Sequence, residues 1–439
     1  MTINRTLTRD VVTKAGETVT IRGWLHKKRL LGGLNFITLR DRSGLTQSLI
    51  EDKAEVEKLR GLQIGTVMSL TGVVVTDERA PGGAELHDVT VAVEVPVSDE
   101  PPIEIDKPLP HKPENLDTLF DNRVIGLRNL QEQTIFKVQA KVLEAARAYF
   151  IENHFTEMNT PKLLAEATEG GAEVFKLDYF GKTATLAQSA QFYKQMMVGV
   201  FERVFETNPT YRAEPSATTR HMTEYITIDA EIGFIEFDEL LTFTSGLVNR
   251  IVEQVFEAYG DELKKWNAQR PVLSANFPRL TMKEVHELYA KHNKDDYSGE
   301  DDLRPDEERW ICEYAKKNLG SEAVFVTDWP SSSMKFYHRK NADHPELADR
   351  SDLLFRGVEI ATVPMREHRY EVLVQQLKDI AHGDPEHPGF KPYLTAFRFG
   401  LPPHGGFGMG LERLTQKLVG LNNVKEATLF PRDINRLTP

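Results

Sequence analysis

The sequence predicts a multidomain protein with a small all-β barrel at its N-terminus and a larger α+β domain built on an antiparallel sheet. At 439 residues the chain is too long for one small core. Residues 17–96 contain short alternating runs separated by turn residues, the spacing of a small barrel. From about Leu127 helical patterns alternate with β-rich runs joined by short loops, which favours antiparallel pairing.

Composition sets limits on the class of protein. Hydrophobic residues make up 40% of the chain and charged residues 27%, as in an ordinary globular protein. No apolar run has the length of a membrane span, and "MTINRTLTRD" contains no signal-peptide core. Cys312 is the only cysteine, which excludes disulfides and thiolate metal cages and fits a cytoplasmic protein. The net charge of −12 argues against a basic coat but leaves room for a local basic stripe that binds nucleic acid.

The barrel and the segment after it follow from local patterns. The predicted strands are "ETVTIRGWLH", "NFITLRD", "LTQSLIED", "TVMSLTGVVVT" and "DVTVAVEVPV". The next stretch, "SDEPPIEIDKPLPHKPEN", holds five prolines among charges, which predicts a linker. We therefore expect domains at 1–100 and 129–439, with a linker or hinge at 101–128.

The larger domain begins with a long amphipathic helix predicted over 133–155. Its apolar residues recur at three- and four-residue spacing: Ile135, Val138, Val142, Ala146, Tyr149 and Phe150. Four β-rich runs follow, "RVFETNPTYRAEP", "EYITIDAEIGFIEF", "EAVFVTDWP" and "LLFRGVEIATVPM". Residues 284–320 are acidic and helical, which predicts an insertion or module on this domain.

The stretch "GGFGMGLERL", residues 405–414, places four glycines within six positions ahead of a helical pattern. It predicts a glycine-rich turn that opens a helix, an arrangement that often binds phosphate. Neither the P-loop nor G-x-G-x-x-G is met. Arg413 in the first helical turn opposes the helix dipole, so we expect an anionic group beside it.

Four stretches of the larger domain carry polar residues that a core would not accommodate. Several arginines with two carboxylates suggest a triphosphate site, in which Asp and Glu hold Mg²⁺. The candidates are Arg212, Glu214, Arg220 and His221 on a strand–loop–strand hairpin; Asp352 and Glu359 around an apolar strand; Gln188, Ser189, Gln191 and Lys194; and Arg413.

The combined motifs resemble those of class II aminoacyl-tRNA synthetases. "YRAE…RH", "GMGLER" and a long helix ending in "FTEMNTPKL" are similar to motifs 2, 3 and 1. "ATEGGAEVF", "LAQSAQFYKQ", "FRGVEIA" and "PPHGGFGMGLERL" narrow the resemblance to the class IIb aspartyl/asparaginyl branch. The barrel matches the OB-fold anticodon-binding domain of that branch. The resemblance covers essentially the whole chain and is to compact aspartyl-tRNA synthetases without the large inserted domain.

The resemblance implies an enzyme that activates aspartate with ATP and passes it to tRNA. Catalysis there is positioning and charge neutralisation, with the substrate carboxylate as nucleophile. Arg212, Arg413 and Glu359 would be the catalytic residues. The family's ATP site would comprise Arg212 at the α-phosphate, Glu214 at the adenine amino group, Tyr225 stacked on adenine, Arg220, His221 and Arg413 at the outer phosphates, Glu359 and Gly410.

The same resemblance places an aspartate pocket and a Mg²⁺ site. Lys194 and Arg366 would bind the side-chain carboxylate, and an asparagine amide would leave their buried charge uncompensated. The other implied aspartate-binding residues are Glu169, Gln191, Arg212, Asp229 and Thr362, and the implied metal ligands are Asp352, Glu359 and Thr362. Thr362, Val363 and Pro364 depart from the family's Ser and small residues, which puts the geometry beside Arg366 in doubt. Tyr337 has no assigned role.

In the barrel, Phe36 and Gln47 resemble the pair that stacks on and hydrogen-bonds the central anticodon uridine. "HKKR" at 26–29, including Arg29, would supply phosphate contacts. His26 and the loop around Pro81 resemble those of relaxed enzymes, which predicts charging of both tRNA(Asp) and tRNA(Asn), with hand-off to an amidotransferase. Strict specificity is the alternative.

Three rival functions remain, and the resemblance also predicts a quaternary structure. An asparaginyl-tRNA synthetase shares the architecture, although Lys194 speaks against it. An amidating asparagine synthetase would lack the barrel, and a non-catalytic tRNA-binding paralogue would not need Arg212, Glu359 and Arg413. The motif 1 helix and Pro161 predict a homodimer.

Overall fold

A computed structural model describes residues 5–165, 173–215, 218–293 and 295–439 of the chain. It divides into two compact units, Met1–Glu132 and Gln133–Pro439. Among the described residues, no helix has the length and apolar character needed to cross a bilayer.

The first unit contains the predicted barrel. Its strands are β1 (Thr18–Leu30), β2 (Asn35–Arg40), β3 (Leu45–Ile50), β4 (Val67–Thr76) and β5 (Ala84–Val95). They close in the order β1-β2-β3-β5-β4 around inward side chains such as Ile21, Leu25 and Ile37. The alternation of buried and exposed residues in β1 and β4 shows why the sequence pattern predicted strands correctly.

One barrel element was missed from the sequence. Helix α1 (Lys53–Arg60) follows β3 and buries Val56 and Leu59. Asp52, which the pattern placed at the end of a strand, instead caps the helix by accepting from the N–H groups of Ala54 and Glu55.

The segment predicted as a linker has regular structure in its second half. After a 3-10 turn at Pro113–Asn115 come helices α2 (Leu116–Asp121) and α3 (Arg123–Gly126). Ile103, Leu116, Leu119 and Phe120 pack together. Residues 101–128 therefore have a small apolar cluster of their own.

The second unit is an α+β domain. The predicted long helix is α4 (Leu130–Glu152), and it buries Ile135, Val138, Val142 and Phe150 as expected. The strands are β6 (Thr156–Glu157), β7 (Leu163–Leu164), β8 (Lys176–Tyr179), β9 (Lys182–Leu186), β10 (Arg203–Tyr211), β11 (Glu224–Gly233), β12 (Arg279–Thr281), β13 (Ala323–Thr327), β14 (Trp329–Pro330), β15 (Leu347–Ala348), β16 (Arg350–Phe355), β17 (Val358–Pro364) and β18 (His404–Gly410). The remaining helices are α5 (Gln191–Phe201), α6 (Phe237–Lys264), α7 (Met282–His292), α8 (Pro305–Tyr314), α9 (Tyr370–Ile380), α10 (Lys391–Phe397) and α11 (Leu411–Val419).

Within the described residues, the main sheet has eight strands in the order β12-β13-β16-β17-β18-β11-β10-β6. Every neighbouring pair is antiparallel except β12–β13 and β10–β6. The antiparallel prediction is therefore confirmed. Helices α4 and α6 contribute to the core beneath this sheet, together with α11.

The acidic segment predicted as a module shares a core with the sheet. Met282 and Val285 of α7 and Ile311 of α8 pack with Val326 of β13 and Leu354 of β16. A π-helical turn at Ala315–Leu319 follows α8. The segment is thus part of one wall of the domain.

Candidate functional site

A pocket of about 350 Å³ lies over the central strands of the sheet and gathers most of the predicted polar residues. It is lined by polar side chains from the β10–β11 hairpin, α5, β17 and the start of α11. The predicted residues in its lining are Gln188, Ser189, Gln191, Lys194, Arg212, Glu214, Arg220, His221, Tyr225, Asp229, Glu359, Thr362, Arg366, Gly410 and Arg413. Asp352 is buried beside this lining, and Glu169 falls outside the described residues.

The hairpin that carries Arg212 and Glu214 is formed by β10 and β11, which pair in continuous register to Tyr211 and Glu224. The Arg212 Nη1 atom lies 3.5 Å from Glu214 Oε1, and its guanidinium carbon is 6.0 Å from the centre of the Tyr225 ring. A half-exposed arginine beside an aromatic face can receive an anionic group with a flat ring next to it.

Two further predicted phosphate-binding residues of this loop already have protein partners. Arg220 donates to Glu308 Oε2 at 2.8 Å and to the Gly357 carbonyl at 3.3 Å, which ties the loop to α8. His221 Nδ1 is 2.6 Å from the Thr218 hydroxyl. Burial lowers the pKa of His221 despite nearby Glu214, so the ring is mainly neutral near pH 7.

The predicted glycine turn before Arg413 is wrong, because residues 404–410 form strand β18. Gly405 and Gly406 lie against neighbouring strands, where a Cβ atom would collide with Met365, the Ala230 carbonyl and Glu231. The absence of side chains at Gly405 and Gly406 therefore allows close strand packing and leaves room for the buried Glu231 side chain of β11. Gly410 remains at the pocket surface and precedes α11.

Arg413 does stand in the first turn of a helix, as predicted. Its Nη1 donates to the Glu359 carbonyl at 2.9 Å and lies 3.6 Å from Glu359 Oε2. The side chain retains 30% exposure toward the pocket. A cation held in place by one carbonyl and still exposed is suited to binding phosphate oxygens.

The predicted metal ligands form a small oxygen cluster. Thr362 lies opposite Asp352 on the neighbouring strand and donates to Glu359 Oε1 at 2.8 Å. Asp352 accepts from Arg350 Nη2 at 2.7 Å. Burial, with Glu359 adding to it against the effect of Arg350, raises the pKa of Asp352 to about 7. Among the described residues, no group of three or more His, Cys, Asp or Glu could hold a metal.

Lys194 is buried at the closed end of the pocket. Its Nζ donates to Asp229 Oδ1 at 2.8 Å and to the Phe407 carbonyl at 2.9 Å. Asp229 also accepts from Thr227 and Asn208. Although burial opposes it, Lys194 holds the pKa of Asp229 below its ordinary value.

Arg366 is the second buried cation, and it pairs with an acid that the sequence did not single out. Its Nε and Nη2 donate to the two carboxylate oxygens of Glu231, at 2.8 and 3.2 Å. Its Nη1 donates to no described residue. The guanidinium carbon lies 5.5 Å from the centre of the Tyr337 ring.

These pairs correct the expected basis of amino-acid selection. Asp229 and Glu231 already balance the charges of Lys194 and Arg366, so an uncharged ligand would not leave two naked cations. Val363 packs in the core at 0% exposure, and Pro364 ends β17 opposite Arg350. Of the two bulky residues expected beside Arg366, Val363 therefore has its side chain in the core.

A second cavity, of about 210 Å³, lies on the barrel and is lined by all five residues predicted there: His26, Arg29, Phe36, Gln47 and Pro81. Phe36 is half-buried and outside the barrel core. Gln47 Nε2 donates to Glu85 Oε2 at 2.8 Å. In the turn after Pro81, Gly82 and Gly83 both have φ near +80°, a conformation that favours glycine.

The basic stretch 26–29 differs from its prediction. His26 is the extra residue of a bulge in β1 and is buried. Burial, and Arg40 after it, lowers its pKa to about 4, so it is neutral near pH 7. Lys28 donates to the carbonyls of Leu59 and Arg60 at the end of α1, and Lys27 pairs with Asp106. Arg29 is the exposed member of the four that lines the cavity, so "HKKR" as a whole is not a phosphate-binding stretch.

Two family models match the chain. Residues 115–434 match tRNA synthetases class II (D, K and N), and residues 19–95 match the OB-fold nucleic acid binding domain. The chain belongs to the class II tRNA synthetases of the D, K and N group. The resemblance stated from its motifs and the OB-fold assignment are both confirmed.

Full-length relatives of the chain belong to the same family. The chain is 42% identical to the Aspartate--tRNA(Asp/Asn) ligase of Thermus thermophilus, over 99% of this chain and 100% of the relative. It is 39% identical to the Aspartate--tRNA(Asp) ligase of Pyrococcus abyssi, over 97% of each. The structure of asparaginyl-tRNA synthetase from Pyrococcus horikoshii complexed with asparaginyl-adenylate superimposes with a TM-score of 0.88, at 30% identity and 100% coverage of both chains.

Several residues of this synthetase pocket were not predicted from the sequence. Glu231 stands two positions after Asp229 on β11, so strand periodicity places both on one face, and that spacing could have identified it. Tyr337 lines the pocket beside Arg366. His404, Gln195 and Tyr393 form a buried hydrogen-bonded group beneath. No local pattern links these last three, because they lie on three distant segments.

Proposed function

We propose that this synthetase activates L-aspartate with ATP and transfers it to tRNA(Asp) and also to tRNA(Asn). The observation that carries the amino-acid assignment is the buried guanidinium of Arg366, which Glu231 holds by its Nε and Nη2 atoms at the closed end of the pocket. The relative from Thermus thermophilus carries a name with the same dual tRNA specificity. We assign tRNA reading to residues 1–100, the linker to 101–128 and catalysis to 129–439.

At the nucleotide end, Arg212 contacts the α-phosphate and the reacting carboxylate, and Tyr225 stacks on adenine next to Glu214. The α-carboxylate oxygen of aspartate forms a bond to the α-phosphorus while the bond to pyrophosphate breaks. No side-chain base is required. Arg413 neutralises charge on the departing phosphates, with Arg220 farther out and the neutral His221 ring as a hydrogen-bonding group beside them. The half-exposed guanidinium of Arg212 and the partly exposed Arg413 support these roles.

Asp352, Glu359 and Thr362 are the residues that would hold Mg²⁺. Two carboxylates and a hydroxyl supply the oxygen ligands that Mg²⁺ prefers. Bound Mg²⁺ would neutralise negative charge on the ATP phosphates.

At the amino-acid end, two cations and two acids are already paired. The side-chain carboxylate of aspartate would be the third carboxylate there. Arg366 Nη1, which donates to no described residue, is the donor we assign to its side chain, with Lys194 behind it. Asparagine offers one accepting oxygen where aspartate offers two, so its NH2 group would face one of these donors and lose the match. Gln191, whose Nε2 has no hydrogen-bond partner among the described residues, and Asp229 and Thr362 line the same end. Glu169 stays a prediction.

The relaxed tRNA specificity is assigned to the barrel cavity. A neutral buried His26 and a Pro-Gly-Gly turn leave space around a base, and neither presents an ammonium group. Each base-specific contact is worth about 1–3 kcal/mol, so one or two fewer contacts can erase discrimination. Aspartyl-tRNA(Asn) formed in this way would be handed to an amidotransferase.

Two assays test this function. ATP–pyrophosphate exchange with aspartate, asparagine and lysine in parallel is expected to favour aspartate strongly, and equal exchange with asparagine would overturn the pocket assignment. Charging of transcripts with GUC and GUU anticodons is expected to proceed on both. A thousandfold lower efficiency with GUU would show strict specificity.

We also propose a homodimer through α4 and the segment around Pro161. Apolar Ile151 and Leu163 on these elements are 58% and 48% exposed, which favours a covered surface. Sedimentation at micromolar concentration is expected to give twice the 49.9 kDa chain mass. A 49.9 kDa species alone would refute the dimer.

A further inference from the structure

Arg220 lines the catalytic pocket, and its guanidinium is held by groups from two other segments of the domain. Its Nη1 donates to Glu308 Oε2 at 2.8 Å, and its Nη2 donates to the Gly357 carbonyl at 3.3 Å. The Arg220 and Glu308 side chains are 25% and 16% exposed. Two of the three guanidinium nitrogens are therefore fixed by protein acceptors, at a place that water reaches only in part.

Helix α8 and the turn between β16 and β17 bring these two acceptors together. Glu308 stands in the first turn of α8, and the next residue, Arg309, packs against Gly357 in that turn. Gly357 has a φ of +82°, and a Cβ atom there would lie 3.1 Å from the Arg309 side chain. Glycine thus allows the helix to approach the turn closely, so that a carboxylate and a carbonyl face the same guanidinium.

The charges around this pair favour one position of the arginine. Burial, and Arg220 after it, lowers the pKa of Lys417, because two cations near each other repel. Burial raises the pKa of Glu308, whereas Arg220 opposes that shift and Glu359 adds to it. If the pair separated, Arg220 would remain beside a cation and Glu308 beside a second acid. The pair therefore fixes the end of the β10–β11 loop that carries Arg220.

A fixed arginine is better prepared to bind phosphate than a mobile one. It loses less conformational freedom when the ligand arrives, so more of the interaction appears as affinity. The bonds to Glu308 and Gly357 use two of the five guanidinium N–H groups, and the arginine can still donate to phosphate oxygens. Activation of an amino acid by positioning and charge neutralisation depends on this kind of preparation.

We propose that Glu308 is a positioning residue for ATP, which holds Arg220 at the outer phosphates and acts on the reaction only through that arginine. This inference rests on the phosphate-binding role proposed for Arg220 and adds a residue of α8 to it. The acidic segment at 284–320, which the sequence predicted as a module, thereby takes part in nucleotide binding. Loss of the Glu308 carboxylate should weaken ATP binding and leave the aspartate pocket as it is.

The test is ATP–pyrophosphate exchange by the full-length enzyme, with KM for ATP and KM for aspartate measured separately. Glu308→Ala should raise KM for ATP about 10-fold, as for loss of one charge-assisted hydrogen bond that orders a long side chain, and leave KM for aspartate unchanged. Glu308→Gln should retain most of the affinity for ATP, because its amide oxygen still accepts from Arg220. Glu313→Ala, at an exposed acid of the same helix, is the control and should change neither KM.

A double variant shows whether Glu308 acts through Arg220. Arg220→Ala should raise KM for ATP at least as much as Glu308→Ala, and combining the two should raise it no further. An independent further rise in the double variant, equal rises of both KM values in Glu308→Ala, or a lower KM for ATP in both Glu308 variants overturns the inference. So does an unchanged KM for ATP in Glu308→Ala beside a raised one in Arg220→Ala, which leaves the role of Arg220 intact. An unchanged KM for ATP in Arg220→Ala overturns that proposed role together with the inference.

Discussion

The catalytic pocket and the barrel cavity both place cations beside carboxylates, but at very different depths. Lys194 and Asp229 are 1% and 2% exposed and sit among strands of the central sheet. Lys27 and Asp106 are 34% and 23% exposed and come from a bulged strand and the segment after the barrel. A buried pair is costly to break, whereas an exposed pair contributes about 0–1 kcal/mol.

This difference relates to what each site has to distinguish. An amino acid differing by one amide must be rejected, and a rigid, dehydrated set of charges gives large penalties for a poor match. In the proposed function, an anticodon base is read by side chains in contact with water, where each base-specific contact is worth about 1–3 kcal/mol. The proposal thus combines strict amino-acid choice with relaxed tRNA choice in one molecule.

The largest expected effect on the free energy of unfolding comes from removing one charge of the buried pair. Lys194→Met leaves Asp229 buried without its cation, and we expect a loss of about 3–5 kcal/mol in the free energy of unfolding. Adding Asp229→Asn should recover part of that loss. Lys283→Met, which removes an exposed pair with Glu287 on α7, should cost well under about 1 kcal/mol. Urea unfolding measures all three, and similar losses for Lys194 and Lys283 would contradict the comparison.

Arg413 is intermediate in burial between the Lys194–Asp229 pair and the Lys27–Asp106 pair, since it is positioned by Glu359 yet partly exposed. Arg413→Ala should lower the exchange rate by about 10²–10³-fold, or roughly 3–4 kcal/mol of transition-state stabilisation, as for removal of one oxyanion donor. Stability should change little. Arg279→Ala, which removes a surface pair with Asp238, is the control. An unchanged exchange rate would remove Arg413 from the phosphate site.

The pKa of Glu412, the neighbour of Arg413, reports how far this part of the catalytic unit is shielded from water. Its carboxylate oxygens accept from the Ile226 N–H at 3.1 Å, and burial raises the pKa of Glu412 to about 7. The folded state therefore keeps a proton that the unfolded state has released. This stabilisation is complete below the ordinary pKa of 4.5 and is lost as the pH rises through about 7.

The matched variant is Glu412→Gln, whose amide can still accept that bond. The difference in unfolding free energy between wild type and variant should change by on the order of 3 kcal/mol from pH 4.5 to pH 7.5, with wild type losing stability. Glu287→Gln on the exposed face of α7 should show no such change. Parallel pH profiles for wild type and Glu412→Gln would mean that the carboxyl is ionised and solvated in the folded state.

The sequence predicted the sheet, the long helix and most of the pocket lining, because these depend on periodicity and on short motifs that stay together along the chain. It missed α1, since an eight-residue helix after a strand has little periodic signal. It also misjudged β18, since four glycines are typical of turns and only the neighbouring strands show why side chains are excluded there.

The site predictions had a similar limit. Lys194 and Arg366 were predicted together as the side-chain carboxylate site, with Asp229 in the same pocket, but their pairing with Asp229 and Glu231 depends on which strands meet in space. Lys28 looked like a phosphate contact until the fold placed the end of α1 beside it. Charge type can be predicted locally, whereas charge pairing requires the tertiary structure.

The smallest predicted effect concerns Phe36, and it tests whether the barrel cavity binds a tRNA base by stacking. A half-buried ring outside the barrel core can stack on an unpaired base, and such stacking is worth about 1–3 kcal/mol per base. Phe36→Ala should therefore weaken tRNA binding by that amount for both anticodons and leave amino-acid exchange unchanged. Phe36→Trp should retain binding because it keeps an aromatic face. Binding measured at one fixed salt concentration avoids changes from phosphate contacts, and Phe180→Ala, at a side chain 90% exposed in the other unit, is the control. If Phe36→Ala instead lowers barrel stability and leaves tRNA affinity intact, the ring belongs to the barrel core and the cavity has no stacking floor.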